Sequence, residues 1–174
     1  MKIVDVCAFY TPHGGGVKTY IDRKLAIGSA MGHEIVVIAP GPRDHVERRP
    51  AGGTIVHVAS PQLFVDRRYR YFDDAAAVHA RLDAERPDMV EASSPWRAAN
   101  IVADWQGDAP RALIMHADPL AAYAYRWFGR FGSRETIDKG FDFFWCHLRR
   151  LGACFDCTVS ANRHLSARLR AGGV

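Results

Sequence analysis

Three consecutive glycines, Gly14-Gly15-Gly16, separate an apolar run from a helical repeat, and no other stretch constrains this chain as tightly. The run Lys2–Phe9 has the make-up of a buried parallel strand. Val17, Tyr20, Ile21, Leu25 and Gly28 then recur at helical spacing, with Gly32 as a stop. The glycines therefore fall where a strand hands over to a helix. A helix start presents backbone N–H groups without intrahelical acceptors and the positive end of the helix dipole. Residues lacking Cβ let a bulky anion approach those donors closely. The loop reads as a site for a phosphate-bearing ligand.

The remaining chain alternates strands and helices. His33–Ala39 is expected as a second strand closed by Pro40-Gly41-Pro42, then a polar loop through Arg49 and a third strand at Thr54–Ala59. A helix is expected from about Tyr71 to Glu85, and a fourth strand at Pro87–Ala92. Ser94-Pro95 should open the next helix, with Ser94 as N-cap. Arg111–His116 and Phe155–Ser160 complete the strands; helices are expected at Arg134–Gly152 and Asn162–Ala171, the last stopped by Gly172-Gly173. This order predicts one α/β domain, a Rossmann-like, doubly wound parallel sheet with helices on both faces. Ligands of such sheets gather at the carboxyl ends of the strands, at the switch point that strands one and four should flank. The glycine loop, Glu91-Ala92-Ser93-Ser94, His116-Ala117-Asp118 and Ser160-Ala161-Asn162 all lie at that edge.

Two phosphate-binding classes are disfavoured. A dinucleotide fingerprint needs a third glycine and an acid ending strand two, where this chain has Ala39-Pro40-Gly41. A triphosphatase loop needs glycine before its lysine, and Val17 precedes Lys18. The 174 residues carry a formal charge of +4, a mild basic excess that spreading over solvated faces explains. Nucleic acid is not expected as a partner at so small a charge. The start Met1-Lys2-Ile3-Val4-Asp5 lacks the form of a secretory signal, and no apolar stretch has the length of a membrane span. Four cysteines (Cys7, Cys146, Cys154, Cys157) then suggest reduced thiols and a cytoplasmic location.

Several segments in order resemble the amino-terminal half of the group 1 (family 4) retaining glycosyltransferases, which share the two-domain GT-B architecture. They are Tyr10-Thr11-Pro12-His13-Gly14-Gly15-Gly16, then Met31-Gly32-His33-Glu34-Ile35-Val36-Val37, Leu113-Ile114-Met115-His116, and Thr158-Val159-Ser160-Ala161-Asn162 with Gly173-Val174. The resemblance implies transfer of a sugar from a nucleoside diphosphate sugar to an acceptor, without metal or other cofactor. It assigns Gly15 and Gly16 to the donor's diphosphate or transferred sugar, and His116 to the reacting sugar as a positioning and charge-stabilising group. It puts Tyr10, His13, Lys18, Ser94, Asp118 and Tyr123 on the acceptor side; the acceptor is a sugar, a lipid-linked group or a small molecule. The family's paired glutamates and most nucleotide contacts belong to a second domain. The expectation is a single acceptor-side domain over residues 1–174, nearly inactive alone, binding donors with dissociation constants on the order of millimolar.

Other features keep two readings. Cys154-Phe155-Asp156-Cys157 has redox spacing but runs into a strand, which favours inert thiols. His116 with Asp118 offers too few ligands for a metal, and a hydrogen-bonded structural role rivals the functional one for His116. Glu91 reads as an acid–base group or as a cap on a neighbouring helix start, and Lys18 as a solvated residue or a contact for an anionic acceptor. Between Ala121 and Arg150, aromatic residues interleave with arginines. That stretch reads as core plus an acceptor wall, with peripheral contact at the inner membrane face as the alternative. A non-catalytic nucleotide- or phosphate-binding α/β module is the competing functional class.

Overall fold

The computed structural model describes residues 1–12, 14–64, 66–118, 120–130 and 132–174; the side chains of residues 122, 123, 126 and 134 lie outside that description. Seven strands form one sheet: β1 (Lys2–Val6), β2 (Glu34–Gly41), β3 (His45–Arg48), β4 (Thr54–Ala59), β5 (Met89–Ala92), β6 (Arg111–Met115) and β7 (Cys157–Ser160). Their spatial order is β3-β4-β2-β1-β5-β6-β7, all parallel except the edge strand β3. β1 pairs with both β2 and β5, so the order reverses beside it, as expected for the switch point. The Rossmann-like α/β architecture is the one the strand–helix alternation implies.

The helices are α1 (Gly16–Ala30), α2 (Ala75–Glu85), α3 (Arg97–Asp104), α4 (Tyr125–Phe128, continuing a π-helical turn at Leu120–Ala124), α5 (Arg134–Gly140), α6 (Asp142–Gly152) and α7 (Arg163–Ala171). Alternation along the strands divides the core. Val4, Val6, Val90, Ala92, Leu113 and Met115 face a large cluster shared with α2, α3, α6 and α7. Ile3, Cys7, Ile35, Val37 and Ile55 face α1 through Ile21 and Leu25. Helices thus cover both faces, but α1 closes the smaller core.

Four expectations need correction. The polar loop before Arg49 contains β3, paired antiparallel with β4 from His45↔His57 to Arg48↔Thr54. An edge strand with largely solvated side chains carries no apolar alternation to betray it. The helix before β5 starts at Ala75, not Tyr71, because Asp74 caps it by accepting from the Ala77 N–H at 3.0 Å. Ser94 is not an N-cap: α3 starts at Arg97, with Trp96 in the cap position and no side-chain cap. The expected helix Arg134–Gly152 breaks at Phe141, whose ring lies 6.0 Å from Phe128 and 5.6 Å from Phe143. The break lets α6 turn Phe144, Trp145, Leu148 and Leu151 inward, whereas α5 buries Ile137.

Side chains fasten the connections. The Arg111 guanidinium donates to the carbonyls of Ala103, Trp105 and Gly107 at 2.7–3.1 Å, closing the carboxyl end of α3. Gly32, at φ +78°, ends α1 and lets the chain turn into β2. Gly28 serves a different need, since a Cβ there would stand 2.5 Å from Cγ1 of the buried Ile35. On an exposed helix Gly→Ala stabilises by about 1 kcal/mol. Here overpacking outweighs propensity, so Gly28→Ala should lower unfolding free energy by about 1–3 kcal/mol, as read from urea midpoints.

Candidate functional site

β1 ends at Val6, and the following loop turns back on itself: the Gly14 N–H donates to the Thr11 carbonyl at 2.9 Å. Gly15 occupies the N-cap of α1 and its carbonyl accepts from the Thr19 N–H at 3.1 Å. The amides of Gly16, Val17 and Lys18 therefore sit in the first turn, where helix geometry gives them no intrahelical acceptor. That turn contains no acidic residue, so the positive end of the dipole is not neutralised locally. A Cβ on Gly14 would stand 2.8 Å from Thr11 Cγ2, so this glycine serves the turn. Gly15 and Gly16 are exposed, and a Cβ on either meets nothing within 4 Å. The fold does not require glycine there, and the backbone is open to close approach.

Beneath the loop lies a polar cluster on the α1 face of the sheet. Asp5 and Glu91 are register partners on β1 and β5, and Lys24 of α1 reaches between them. Its Nζ donates to Asp5 Oδ2 at 2.7 Å and also pairs with Glu91 Oε2. Ser93 Oγ donates to the same Asp5 oxygen at 2.8 Å. Asp5 is fully buried, and its second oxygen has no partner among the described residues. Burial opposes the charge of Lys24, but the attraction of Asp5 and Glu91 prevails and holds its pKa above the usual lysine range. Glu91 is raised by burial, with the Asp5 charge adding to the effect.

His116, directly after β6, extends this cluster toward the glycine loop. Its ring meets Tyr20 edge-on at 4.5 Å, and the Lys24 ammonium lies 5.7 Å from the Tyr20 ring centre. Nε2 of His116 is buried with no partner among the described residues. Burial lowers its pKa below 6.5, so the imidazole is neutral at neutral pH. Burial also pushes the Tyr20 hydroxyl up to about 12. At the end of β5, Ser94 is 5% exposed and its Oγ likewise has no described partner. Ser94 Oγ after β5 and His116 Nε2 after β6 are thus buried polar atoms without described partners, following adjacent strands of the sheet.

The other expected residues are placed as follows. Tyr10 is 3% exposed and its ring packs in the smaller core beside His57, so its side chain is withdrawn from the crevice surface. Lys18 pairs with Asp22, which also receives Arg49 at 2.8 Å. Asp118 accepts from the N–H groups of Leu120 and Ala121 and lies 2.6 Å from Arg168 Nε in an ion pair without hydrogen-bond alignment. His13 and the Tyr123 side chain lie outside the described residues. Cys154 and Cys157 are exposed free thiols. Among the described residues no group of three or more potential ligands could hold a metal ion.

Sequence reading passed over the groups that organise the crevice. Lys24 falls on the inward stripe of α1 between Ile21 and Leu25, and Asp5 interrupts a buried strand; together these two positions signalled a buried ion pair. Arg168 carried no such signal. Its Nη2 meets Asp138 Oδ1 at 2.8 Å and the Tyr125 hydroxyl, and the guanidinium lies 5.2 Å from the ring centres of Tyr125 and Trp145. It thereby ties α7 to α4, α5 and the loop that follows His116.

The glycine loop thus follows β1 at the switch point of a Rossmann-like α/β sheet, and His116 follows β6, two strands away. The chain belongs to Glycosyltransferase Family 4, whose model matches residues 14–173. It is similar to the GDP-mannose-dependent alpha-(1-6)-phosphatidylinositol dimannoside mannosyltransferase of two Mycobacterium tuberculosis strains. Identity is 35% over 94 residues, 53% of this chain; the match spans about a quarter (24%) of the length of those curated relatives. The fold superposes on sucrose-phosphate synthase from Thermosynechococcus elongatus with a TM-score of 0.69 at 13% identity, over 98% of this chain and 44% of that one.

Two outcomes follow from the electrostatics. Lys24→Met leaves two buried carboxylates facing each other and should cost about 3–5 kcal/mol of stability, partly recovered by adding Glu91→Gln, in denaturant titrations. Because His116 has a lower pKa folded than unfolded, the unfolded chain takes up its proton first. Stability is complete above pH 6.5 and falls as the pH drops through the folded value. His116→Gln should flatten that part of the stability profile, measured by thermal melts between pH 5 and about pH 8.

Proposed function

We propose that this domain forms the acceptor side of a retaining glycosyltransferase that moves a hexosyl group from a nucleoside diphosphate sugar. The observation that carries this reading is the pair Gly15–Gly16, open to solvent at a helix start without a local acid, on the same helix as Tyr20, whose ring meets the half-buried His116. Transfer forms a glycosidic bond at the anomeric carbon and breaks its bond to the diphosphate. Negative charge then grows on the leaving phosphate, where fixed amide dipoles stabilise it without reorganising. His116, neutral, donates a hydrogen bond to the transferred sugar and adds no charge that would compete with the amides. Ser94 is the hydroxyl best placed to meet the acceptor.

Family membership and the greater length of the relatives support a donor site completed by further chain. The name of the mannosyltransferase relative makes GDP-mannose the first donor to test and a glycolipid the first acceptor. Cytoplasmic reaction at the inner membrane face is consistent with such an acceptor.

Since a side chain at position 16 meets nothing in the fold, Gly16→Val tests the site without overpacking it. In the complete protein, transfer from GDP-mannose should fall by about 10²–10³-fold for this variant. The melting temperature should stay within a degree or two of the parent's, as expected for a stability change of about 0.5 kcal/mol. Full transfer activity in both Gly16→Val and His116→Ala would remove the proposal.

A further inference from the structure

Among the described residues no hydrogen bond holds the His116 ring, and its Nε2 is buried. His79 and His147, by contrast, each place Nε2 on a backbone carbonyl oxygen, at 2.8 and 2.7 Å. The torsion that rotates an imidazole is broad, so a ring without such an anchor has no single preferred orientation. Histidines that act on a ligand are ordinarily oriented by a hydrogen bond at the second ring nitrogen. His116 has a different support. Its ring meets Tyr20 at 4.5 Å between centroids, with the planes 67° apart, an edge-to-face pair and the shortest separation among the described ring pairs.

Tyr20 is itself held. Half-buried, it packs against the smaller core that Ile21 and Leu25 close. The Lys24 ammonium lies 5.7 Å from its ring centre and is fixed in turn by Asp5 and Glu91. Its place on α1 adds a second link. Tyr20 comes four residues after Gly16, so the two share one face of the helix. A helical side chain covers the turn N-terminal to its own Cα, which here is the turn that carries the glycine amides.

We infer that Tyr20 is a positioning residue, whose ring orients His116 and holds it in register with the amides at the start of α1. This deepens the function proposed above and rests on it for what the oriented imidazole does. An edge-to-face contact suits this histidine, because it fixes the ring without adding charge. A carboxylate partner would draw a proton onto the imidazole, whereas burial keeps it off. Burial also holds the Tyr20 hydroxyl neutral, and no described hydrogen bond engages it, so the ring rather than the oxygen carries the role.

Two variants of the complete protein separate ring from hydroxyl. Tyr20→Leu keeps apolar volume against the small core but removes the ring, and Tyr20→Phe removes the hydroxyl alone. Both should melt within a few degrees of the parent. With GDP-mannose as donor, Tyr20→Leu should lower kcat about tenfold and leave KM close to the parent's. Tyr20→Phe should restore most of that rate. In a His116→Ala background Tyr20→Leu should cost nothing further, because a residue that acts through another has no effect without it. The second readout is the order of the His116 imidazole, from NMR relaxation of its Cε1–H group in the protein without ligand. The ring should be rigid in the parent and in Tyr20→Phe, and mobile in Tyr20→Leu.

An imidazole equally rigid in Tyr20→Leu would overturn the inference. So would equal losses with and without His116, or a Tyr20→Phe variant as slow as Tyr20→Leu. Ring order needs neither donor nor turnover. A mobile ring in Tyr20→Leu, in a protein whose transfer is indifferent to His116→Ala, therefore tells against the transferase role of His116 alone. A rigid ring in Tyr20→Leu, in a protein whose transfer requires His116, tells against Tyr20 alone.

Discussion

Lys24 between Asp5 and Glu91 is the interaction on which the rest of the crevice depends. Two carboxylates on adjacent central strands repel each other, and burial on the sheet face strengthens that repulsion. A single ammonium from α1 compensates both. The same contact fixes the helix against β1 and β5, and with it the position of the glycine loop at the helix start. Ser93 completes the cluster by donating to Asp5, which ties the end of β5 to β1. The electrostatics of the core and the placement of the anion-accepting amides are one construction.

That construction sets the charge state of the site. Burial and the nearby Lys24 both work against a proton on His116, and only Asp5 favours one. The balance leaves a neutral imidazole beside a helix N-terminus, so the positive potential of the crevice comes from backbone dipoles rather than from a mobile side chain. A preorganised dipole costs nothing to orient when negative charge develops. Lys18, the basic residue of the glycine loop itself, is engaged with Asp22.

The second half of the chain is held differently. Between β6 and β7 the helices are short, and aromatic rings rather than aliphatic stripes join them. Arg168 centres this region by facing Asp118 and Asp138 and lying over Tyr125 and Trp145. Asp118 also accepts from the N–H groups of Leu120 and Ala121. The bracing leaves several rings exposed, and no helix among the described residues is long and apolar enough to cross a membrane.

The repeating features of the fold were legible in the sequence because they rest on local regularities. Apolar runs bounded by glycine and proline marked the strand around Thr54–Ala59, Asn162 announced the start of α7, and Gly32 the end of α1. The helix start at the glycine loop was legible for the same reason, because a strand-to-helix handover and the lack of Cβ atoms are local properties. Where tertiary contacts decided, local signals failed. β3 exists because β4 offers it an edge, Ser94 is buried rather than capping, and Phe141 breaks a helix so that four side chains of α6 can reach the core. The crevice followed the same division. Gly15 and Gly16 were singled out by the glycine loop and His116 by its strand end and the family resemblance, whereas the pairing of Asp5, Lys24 and Glu91, and the contacts of Arg168, join residues up to about 90 positions apart, and a local pattern does not name such partners. The sequence determined the strand–helix alternation and the helix start at the glycine loop. Only the packed structure decided which charged groups face each other out of water, and so which of them remain available to a ligand.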